Sequence, residues 1–174
     1  MRRSALLTLL SIALTTLTAC GYHTQGAATH LPPGTKTIAI PVFLTRTNNN
    51  RTETAMTSAV IREFATRTRL RIVPNEAGDP DATLHGTILT QTTIPLTYNS
   101  QTQQSSSFLI TITVAVTLKA RDGRVLYENK NFTFRQQYQA TTDLPTFLDE
   151  SPAAVDRLSR DFARALVADV LESF

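Results

Sequence analysis

Hydrophobic and polar residues alternate along the middle of the chain with the two-residue period of a β-strand. In residues 108–118 every second residue is apolar, and threonines fill most positions between them. Residues 82–98 and 125–138 alternate less regularly, and Asp122-Gly123 is a tight-turn signal. Such strands bury one face and leave the other in water. The pattern predicts three long antiparallel strands, with unbroken parity in the first and a bulge near residues 128–131 in the last.

Two other segments carry apolar residues at helical spacing. The first helix is predicted over about residues 52–67, where Asn50 followed by Glu53 resembles a capping box. Its apolar stripe comprises Met56, Val60 and Phe64. The last helix is predicted to start with Ser151 as N-cap and Pro152 at its first helical position. Its stripe comprises Val155, Leu158, Phe162, Leu166 and Val170.

Two shorter apolar segments complete the set of predicted elements. Residues 35–44 form the first strand, in which Pro41 indicates an edge or a strand end. Residues 70–73 form another strand that ends at Pro74. The order β-α-β-β-β-β-α predicts an α+β fold. Two helices would cover one face of a mixed, mostly antiparallel sheet of about four to five strands.

The N-terminus has the composition of a secretory signal peptide. Arg2 and Arg3 precede an apolar run at residues 5–17, which is too short to span a bilayer as a helix. The next residues, Leu-Thr-Ala-Cys, resemble the lipobox of bacterial lipoproteins. Cys20 is the only cysteine of the chain, and we predict that it is the lipid attachment residue. Gly21 follows it in place of Asp, which favours the outer membrane by analogy with lipoprotein sorting.

These signals predict three segments. Residues 1–19 are a lipoprotein signal peptide, residues 20–34 an extended lipid-anchored tether, and residues 35–174 a single α+β domain. Removal of the signal peptide leaves 15 basic and 14 acidic residues. The sequence pI of about 9.4 is therefore no sign of nucleic-acid binding, and we expect no nucleic-acid partner.

Sequence motifs for catalysis are missing. The chain has no Gly-x-Ser-x-Gly elbow, HExxH, P-loop or GxGxxG motif. Two of its three histidines lie in the tether, and His85 lies in a strand as a packed or surface residue. A cluster of Glu76, Asp79 and Asp81 fits a solvated acidic loop better than a calcium site or a carboxylate dyad. We expect no enzymatic activity, no metal and no cofactor.

One long stretch of the chain is free of charge. Residues 82–118 contain no Asp, Glu, Lys or Arg over 37 positions, and residues 98–107 are rich in amide and hydroxyl groups. Residues 98–107 are either a flexible hairpin tip or a surface that lies against a polar, neutral wall such as a barrel lumen. Basic residues dominate segments 46–71 and 119–135. Those segments are either solvated faces or docking sites for anionic headgroups or sugars.

Several short motifs occur in one order along the mature chain. They comprise Cys20-Gly-Tyr-His23, Ile40-Pro-Val-Phe43, Arg46-Thr47, Ile61-Arg-Glu-Phe64, Asp81-Ala82-x-Leu84-x-Gly86-x-Ile88 and Pro95-Leu-Thr-Tyr-Asn99. Together with the lipobox they resemble the LptE family, the lipopolysaccharide-assembly lipoproteins of the Lpt export system. The resemblance covers nearly the whole mature chain.

The resemblance implies a non-enzymatic lipoprotein of the outer membrane, lipid-anchored on its periplasmic side. It also implies a plug and assembly factor for the large LptD-like β-barrel that inserts lipopolysaccharide, with lipopolysaccharide as a ligand. Candidate barrel contacts are Tyr98, Asn99, Ser100, Gln101 and Gln103. The hairpin tip has no Lys or Arg, so phosphate contacts would come from other residues. The candidates are Lys119, Arg121, Arg124, Lys130 and Arg135.

Two other functions remain open at this point. One is an outer-membrane lipoprotein that activates a periplasmic cell-wall synthase. A tether of fourteen residues extends at most about 50 Å, which disfavours a reach across the periplasm. The other is a lipid-anchored hydrolase, which the missing nucleophile and base disfavour.

Overall fold

The computed structural model describes residues 31–47, 51–99, 104–139 and 151–171. In this part of the chain, two helices and six strands follow one another. The elements are β1 (Thr37–Ala39), β2 (Leu44–Thr45), α1 (Thr52–Arg67), β3 (Arg71–Val73), β4 (Ala82–Asn99), β5 (Gln104–Ala120), β6 (Val125–Gln139) and α2 (Ser151–Leu171). The α+β class is confirmed.

The strands form a mixed sheet in the order β3-β1-β4-β5-β6. β1 runs parallel to both β3 and β4, whereas β4, β5 and β6 are antiparallel neighbours. β2 pairs in parallel with β4 further along, where Leu44 lies opposite Thr87. The mostly antiparallel sheet is therefore confirmed, with six strands where about four to five were expected.

The sixth strand arises because the predicted strand 35–44 is two strands. Pro41 has no N–H for a ladder, and the backbone leaves the sheet between β1 and β2. Here Phe43 turns into the core and donates its N–H to Thr57 Oγ1 of α1 at 2.9 Å. The expectation of one continuous strand was wrong, since β1 and β2 border different parts of β4.

Both helices pack on one face of the sheet, around Phe162 of α2. Its ring is completely buried and contacts three other rings, with centroid distances of 6.2 Å to Phe43 and 5.6 Å to both Phe132 and Phe134. The predicted stripe of α2 is confirmed, because four of its five residues are buried and the fifth is partly buried.

Phe43 reaches this cluster by passing over Gly86 of β4. A Cβ atom at position 86 would lie 2.5 Å from the Phe43 ring, so the close approach of ring and strand requires glycine. At the other end of the described chain, Leu31 is 5% exposed and belongs to the same core. Packing thus begins four residues before the predicted start of the domain.

Several register shifts occur in the described long strands, and only one of them was expected. The predicted bulge in β6 is confirmed, since the pairing shifts between Val114 and Val116 of β5, opposite Asn129 to Phe132. A second shift lies in β4 between Ile88 and Thr90. It moves later residues of β4 to the opposite face. The expected unbroken parity was therefore wrong, and Ile94 and Leu96 are 50% and 45% exposed instead of packed in the core.

The predicted span of α1 is confirmed, but its predicted capping box is wrong. The N-cap residue is Arg51, with a φ of 80° and no side-chain hydrogen bond to the helix. Asn50 lies outside the described residues. The N-cap position of α1 therefore has a left-handed backbone conformation and is occupied by arginine.

Asp81 ties three parts of the fold together. Its Oδ2 accepts hydrogen bonds from the Lys36 N–H, the Thr37 N–H and Thr37 Oγ1, each at 2.9 Å. Its Oδ1 accepts one from Arg121 Nη2 at 2.9 Å, at the turn between β5 and β6. These hydrogen bonds, led by the one from the Lys36 backbone, lower the pKa of Asp81 from 3.8 to about 2. This residue therefore links strands, while Asp79 in the same loop is largely exposed.

We expect the Asp81 carboxylate to stabilise the fold only where it is ionised. Its pKa is lower in the folded protein, so its contribution is complete above pH 3.8 and is lost as the pH falls toward about 2. Asp81→Asn should lower the thermal unfolding midpoint at pH 7. The difference from the wild type should shrink as the pH falls through this range. A difference that stays constant with pH would contradict this role.

Candidate partner-binding hairpin

The outer halves of the three long strands form what we call the distal section, in which Ile110 and Ile112 of β5 are still buried in the core while β4 is exposed. It comprises residues 90–99 of β4, 104–113 of β5 and 133–139 of β6. Its first row consists of Thr90, Thr113 and Thr133, which lie opposite one another. At about 3.3 Å per residue, the 18 residues of β4 span about 60 Å. The distal section takes up about half of this length.

β4 leaves the core at the start of this section. Ala82, Leu84 and Ile88 are fully buried, whereas every residue from Thr92 to Thr97 is exposed. Beyond β2, the edge of β4 has no neighbouring strand among the described residues. Pro95 on this edge removes one backbone donor. The exposed edge and side chains leave the distal part of β4 accessible to a partner.

The face of the distal section turned away from the core is neutral and mixed in polarity. Arg135 is its one charged residue in the described part of this section, opposite Thr111. Hydroxyl and amide groups bond across the strands, with 3.1 Å between the Thr113 and Thr133 Oγ1 atoms. Exposed Ile94 and Leu96 add apolar surface toward the tip. Such a face can contact a surface that offers both polar and apolar groups.

On the opposite face, the distal section is braced by an aromatic pair. Phe108 of β5 stacks on Tyr138 of β6 with ring centroids 5.4 Å apart and an interplanar angle of 19°. Both rings are partly buried. Aromatic cross-strand pairs stabilise a sheet, so β5 and β6 are held in register close to the tip.

The predicted barrel contacts lie at or beyond the end of β4. Tyr98 pairs with Ser105, and Asn99 pairs with Gln104. Three further candidates, Ser100, Gln101 and Gln103, lie outside the described residues, as does the predicted lipid attachment residue Cys20. The backbone of Tyr98 and Asn99 belongs to the distal section, and their contact with a partner stays a prediction.

The predicted phosphate-contacting residues do not form one patch. Arg121 pairs with Asp79 at 3.2 Å and with Asp81 at 2.9 Å. Arg124 lies 4.0 Å from Asp122, and Lys130 lies 3.4 Å from Glu128. These three side chains already have carboxylate partners.

The remaining two candidates lie far apart on the sheet. Lys119 pairs with Thr83 and Val125 near the β5–β6 turn, while Arg135 lies in the distal section. Lipopolysaccharide contact by any of the five stays a prediction.

Sequence periodicity missed the exposed apolar residues of the distal section. Ile94 and Leu96 were expected to keep the parity of the core residues, but the bulge after Ile88 turns them outward. The available signal was the pair Ile88-Leu89, where two adjacent apolar residues interrupt the alternation.

Two kinds of feature are not found in the described part of the chain. No group of three or more His, Cys, Asp or Glu residues there is arranged to hold a metal ion. None of its helices combines the length and apolarity needed to cross a membrane. His85 is an exposed surface residue, with its Nε2 3.2 Å from Glu76 Oε1.

Comparison with known proteins identifies the family. A family model described as LptE, lipopolysaccharide-assembly, matches residues 35–170. The chain belongs to the LptE family. The resemblance seen in its sequence motifs is thereby confirmed over residues 35–170. Membership makes this LptE-family protein an outer-membrane lipoprotein of lipopolysaccharide assembly. No curated protein matches the chain.

Solved structures share the fold at low sequence identity. A Caulobacter crescentus CB15 protein described as a lipoprotein is 10% identical, with a TM-score of 0.52 over 75% of this chain and 88% of its own. A PelC variant from Paraburkholderia phytofirmans, solved as a dodecamer, is 9% identical, with a TM-score of 0.50 over 80% and 90%. Lipoprotein B from Nitrosomonas europaea is 17% identical, with a TM-score of 0.47 over 87% and 90%. The first two likenesses show a common fold.

Proposed function

We propose that this LptE-family protein is a non-enzymatic subunit of an LptD-like β-barrel translocon that inserts lipopolysaccharide. In this proposal the distal section and its tip occupy the barrel lumen, as a plug and as an assembly contact. The observation that carries the proposal is the long, nearly uncharged distal section, with its β4 strand exposed, in a chain of the lipopolysaccharide-assembly family.

The chemistry of the distal section suits a confined, polar lumen. Neutral amides and hydroxyls can exchange hydrogen-bond partners with polar side chains and trapped water. An unpaired charge in the same place would carry a desolvation cost of several kcal/mol. The absence of charged residues from positions 82–118 avoids this cost over both β4 and most of β5.

The anchor and the domain boundaries belong to the same proposal. The signal peptide, residues 1–19, is removed, and Cys20 carries the lipid on the periplasmic side of the outer membrane. Two or more acyl chains give stable anchoring, whereas one is marginal. The tether that follows then holds the domain beside a barrel in the same membrane. Lipopolysaccharide is the proposed ligand, and no nucleic-acid partner or cofactor is included.

Placing two negative charges in the tip tests the plug. Asn99→Glu combined with Gln103→Glu should sharply reduce co-purification of a barrel-sized protein from detergent-solubilised outer membranes. The purified variant should keep the wild-type unfolding midpoint, because in this proposal the tip contacts the barrel and not the core of the domain. The measurement is the amount of barrel protein recovered per tagged chain.

A matched control separates the position of the charges from their number. Ala65→Glu combined with Ala153→Glu adds the same two charges at exposed helix positions and should leave the barrel yield unchanged. Equal yields from the wild type, the tip variant and the control would contradict a tip buried in the lumen.

A further inference from the structure

A groove between α1 and α2 is lined by basic and hydroxyl groups. The cavity has a volume of about 510 Å³. Its lining comprises Arg51, Thr54, Ala55, Ser58, Arg62, Asp156 and Arg160. The two helices cover one face of the sheet, and the neutral face of the distal section is the opposite one. The groove is therefore separate from the proposed barrel contact.

Helical spacing brings these side chains together. Thr54, Ser58 and Arg62 follow one another at four-residue intervals along one side of α1. Asp156 and Arg160 stand at the same interval on α2. Two stripes of adjacent helices thus line the two sides of the groove.

The groove carries unbalanced positive charge. Arg51, Arg62 and Arg160 are exposed, and none forms an ion pair with a carboxylate of the described residues. Two other arginines of the same helices are paired. Arg67 lies 2.6 Å from Glu63, and Arg164 lies 3.7 Å from Asp161.

The charge in the groove also indicates which anion would fit. Asp156 is the one carboxylate in the lining, so three guanidinium groups leave a net charge of about +2 there. A phosphate monoester carries about −1.5 to −2 at pH 7, with three oxygens that accept hydrogen bonds. Guanidinium groups bind phosphate oxygens through paired N–H groups. A monoester thus matches both the charge and the donors of the lining.

Two further features favour an anion here. The Thr54 and Ser58 hydroxyl groups can donate to phosphate oxygens. Arg51, just before α1, has a φ of 80°, which L residues rarely adopt. It lies just before the first turn of α1, where the helix dipole favours negative charge.

We propose that the groove between α1 and α2 is a phosphate-binding site, with Arg51, Arg62 and Arg160 as its cationic groups. The ligand class is a phosphate monoester, carried by a lipid headgroup or by a soluble compound. This site goes beyond the proposed barrel contact and does not depend on it, because the residues and the face of the molecule are different.

Calorimetric titration of the full-length protein in non-ionic detergent tests the site. The soluble probes are inorganic phosphate and glycerol 3-phosphate, in a phosphate-free buffer of low ionic strength. Arg62→Gln combined with Arg160→Gln should weaken binding by at least about tenfold, as expected for loss of charged hydrogen bonds. Arg67→Gln combined with Arg164→Gln removes the same charge from the same helices and should change affinity less than about twofold.

A variant with a gain in affinity excludes misfolding as the cause. Asp156→Asn removes the one carboxylate of the lining, so it should tighten phosphate binding several-fold. A second experiment tests whether the bound phosphate belongs to a lipid headgroup. The protein is passed over a sizing column in mixed micelles that contain phosphatidic acid or phosphatidylcholine, and the retained lipid is quantified.

Each outcome of the two experiments has one meaning. Groove-dependent retention of phosphatidic acid over phosphatidylcholine assigns the site to a lipid headgroup. Groove-dependent binding of the soluble probes alone assigns it to a soluble phosphate compound. The proposal is overturned if no probe binds the wild type, if the groove and control pairs lose affinity equally, or if Asp156→Asn leaves the affinity unchanged.

Discussion

Replacing Phe162 by alanine should lower the free energy of unfolding by about 3–5 kcal/mol. The Phe162 side chain is completely buried and contacts the rings of Phe43, Phe132 and Phe134. Its removal would therefore leave a cavity where α2, β6 and the segment between β1 and β2 meet. Since domains of this size are stable by about 5–15 kcal/mol, the loss would be a large part of the total.

Chemical denaturation of the two proteins measures this loss. Leu44→Ala is the control, because Leu44 is also a large apolar residue but is 69% exposed. We expect the control to change the free energy of unfolding by less than about 0.5 kcal/mol. An unchanged denaturation midpoint for Phe162→Ala would show that α2 packs through another face.

Replacing Cys20 by alanine should abolish lipid attachment completely. The cysteine sulfur is the acyl acceptor in the lipobox reaction, and the chain has no second cysteine to replace it. Metabolic labelling with a radioactive fatty acid should therefore mark the wild type and leave Cys20→Ala unlabelled. The variant should also escape lipoprotein-type cleavage, because the thiol that receives the lipid is missing.

Gly21→Ala is the matched control for this experiment. It changes the neighbouring residue but keeps the thiol, so it should be labelled like the wild type. Fatty-acid label that persists on Cys20→Ala would refute Cys20 as the attachment residue.

Regular periodicity explains which parts of the fold were predictable from the sequence. The span of α1 agrees with the prediction because its apolar stripe reaches Phe64, in the last turn of a helix that ends at Arg67. The alternation in β5 gave the correct inward face, since Ile110, Ile112 and Val114 are all buried. In both elements the regularly spaced apolar residues lie on the face that packs on the core, so the local pattern agrees with the tertiary structure.

The errors occur where one residue or one contact overrides the pattern. A single extra residue in β4 reverses its later faces, and composition alone does not locate such a bulge. Between β1 and β2 the Phe43 N–H bonds to Thr57 of α1 instead of to a strand, which is a tertiary contact. The local sequence does not predict this contact.

The candidate sites were predictable to different degrees. The neutral hairpin followed directly from the absence of charge in residues 82–118. The excess of arginine in residues 46–71 was also visible, but Arg160 lies on the other helix, among acidic neighbours. Only the packing of α1 against α2 brings Arg160 to the same groove as Arg62.

Photo-crosslinking in intact cells tests the proposed place of this protein in the outer membrane most directly. A crosslinking amino acid at Asn99, and separately at Gln103, should yield an adduct with a protein the size of a large β-barrel. The same amino acid at the exposed helix position Ala65 should yield none. No adduct from either tip position, together with normal barrel recovery by the double glutamate variant, would contradict a hairpin within the barrel.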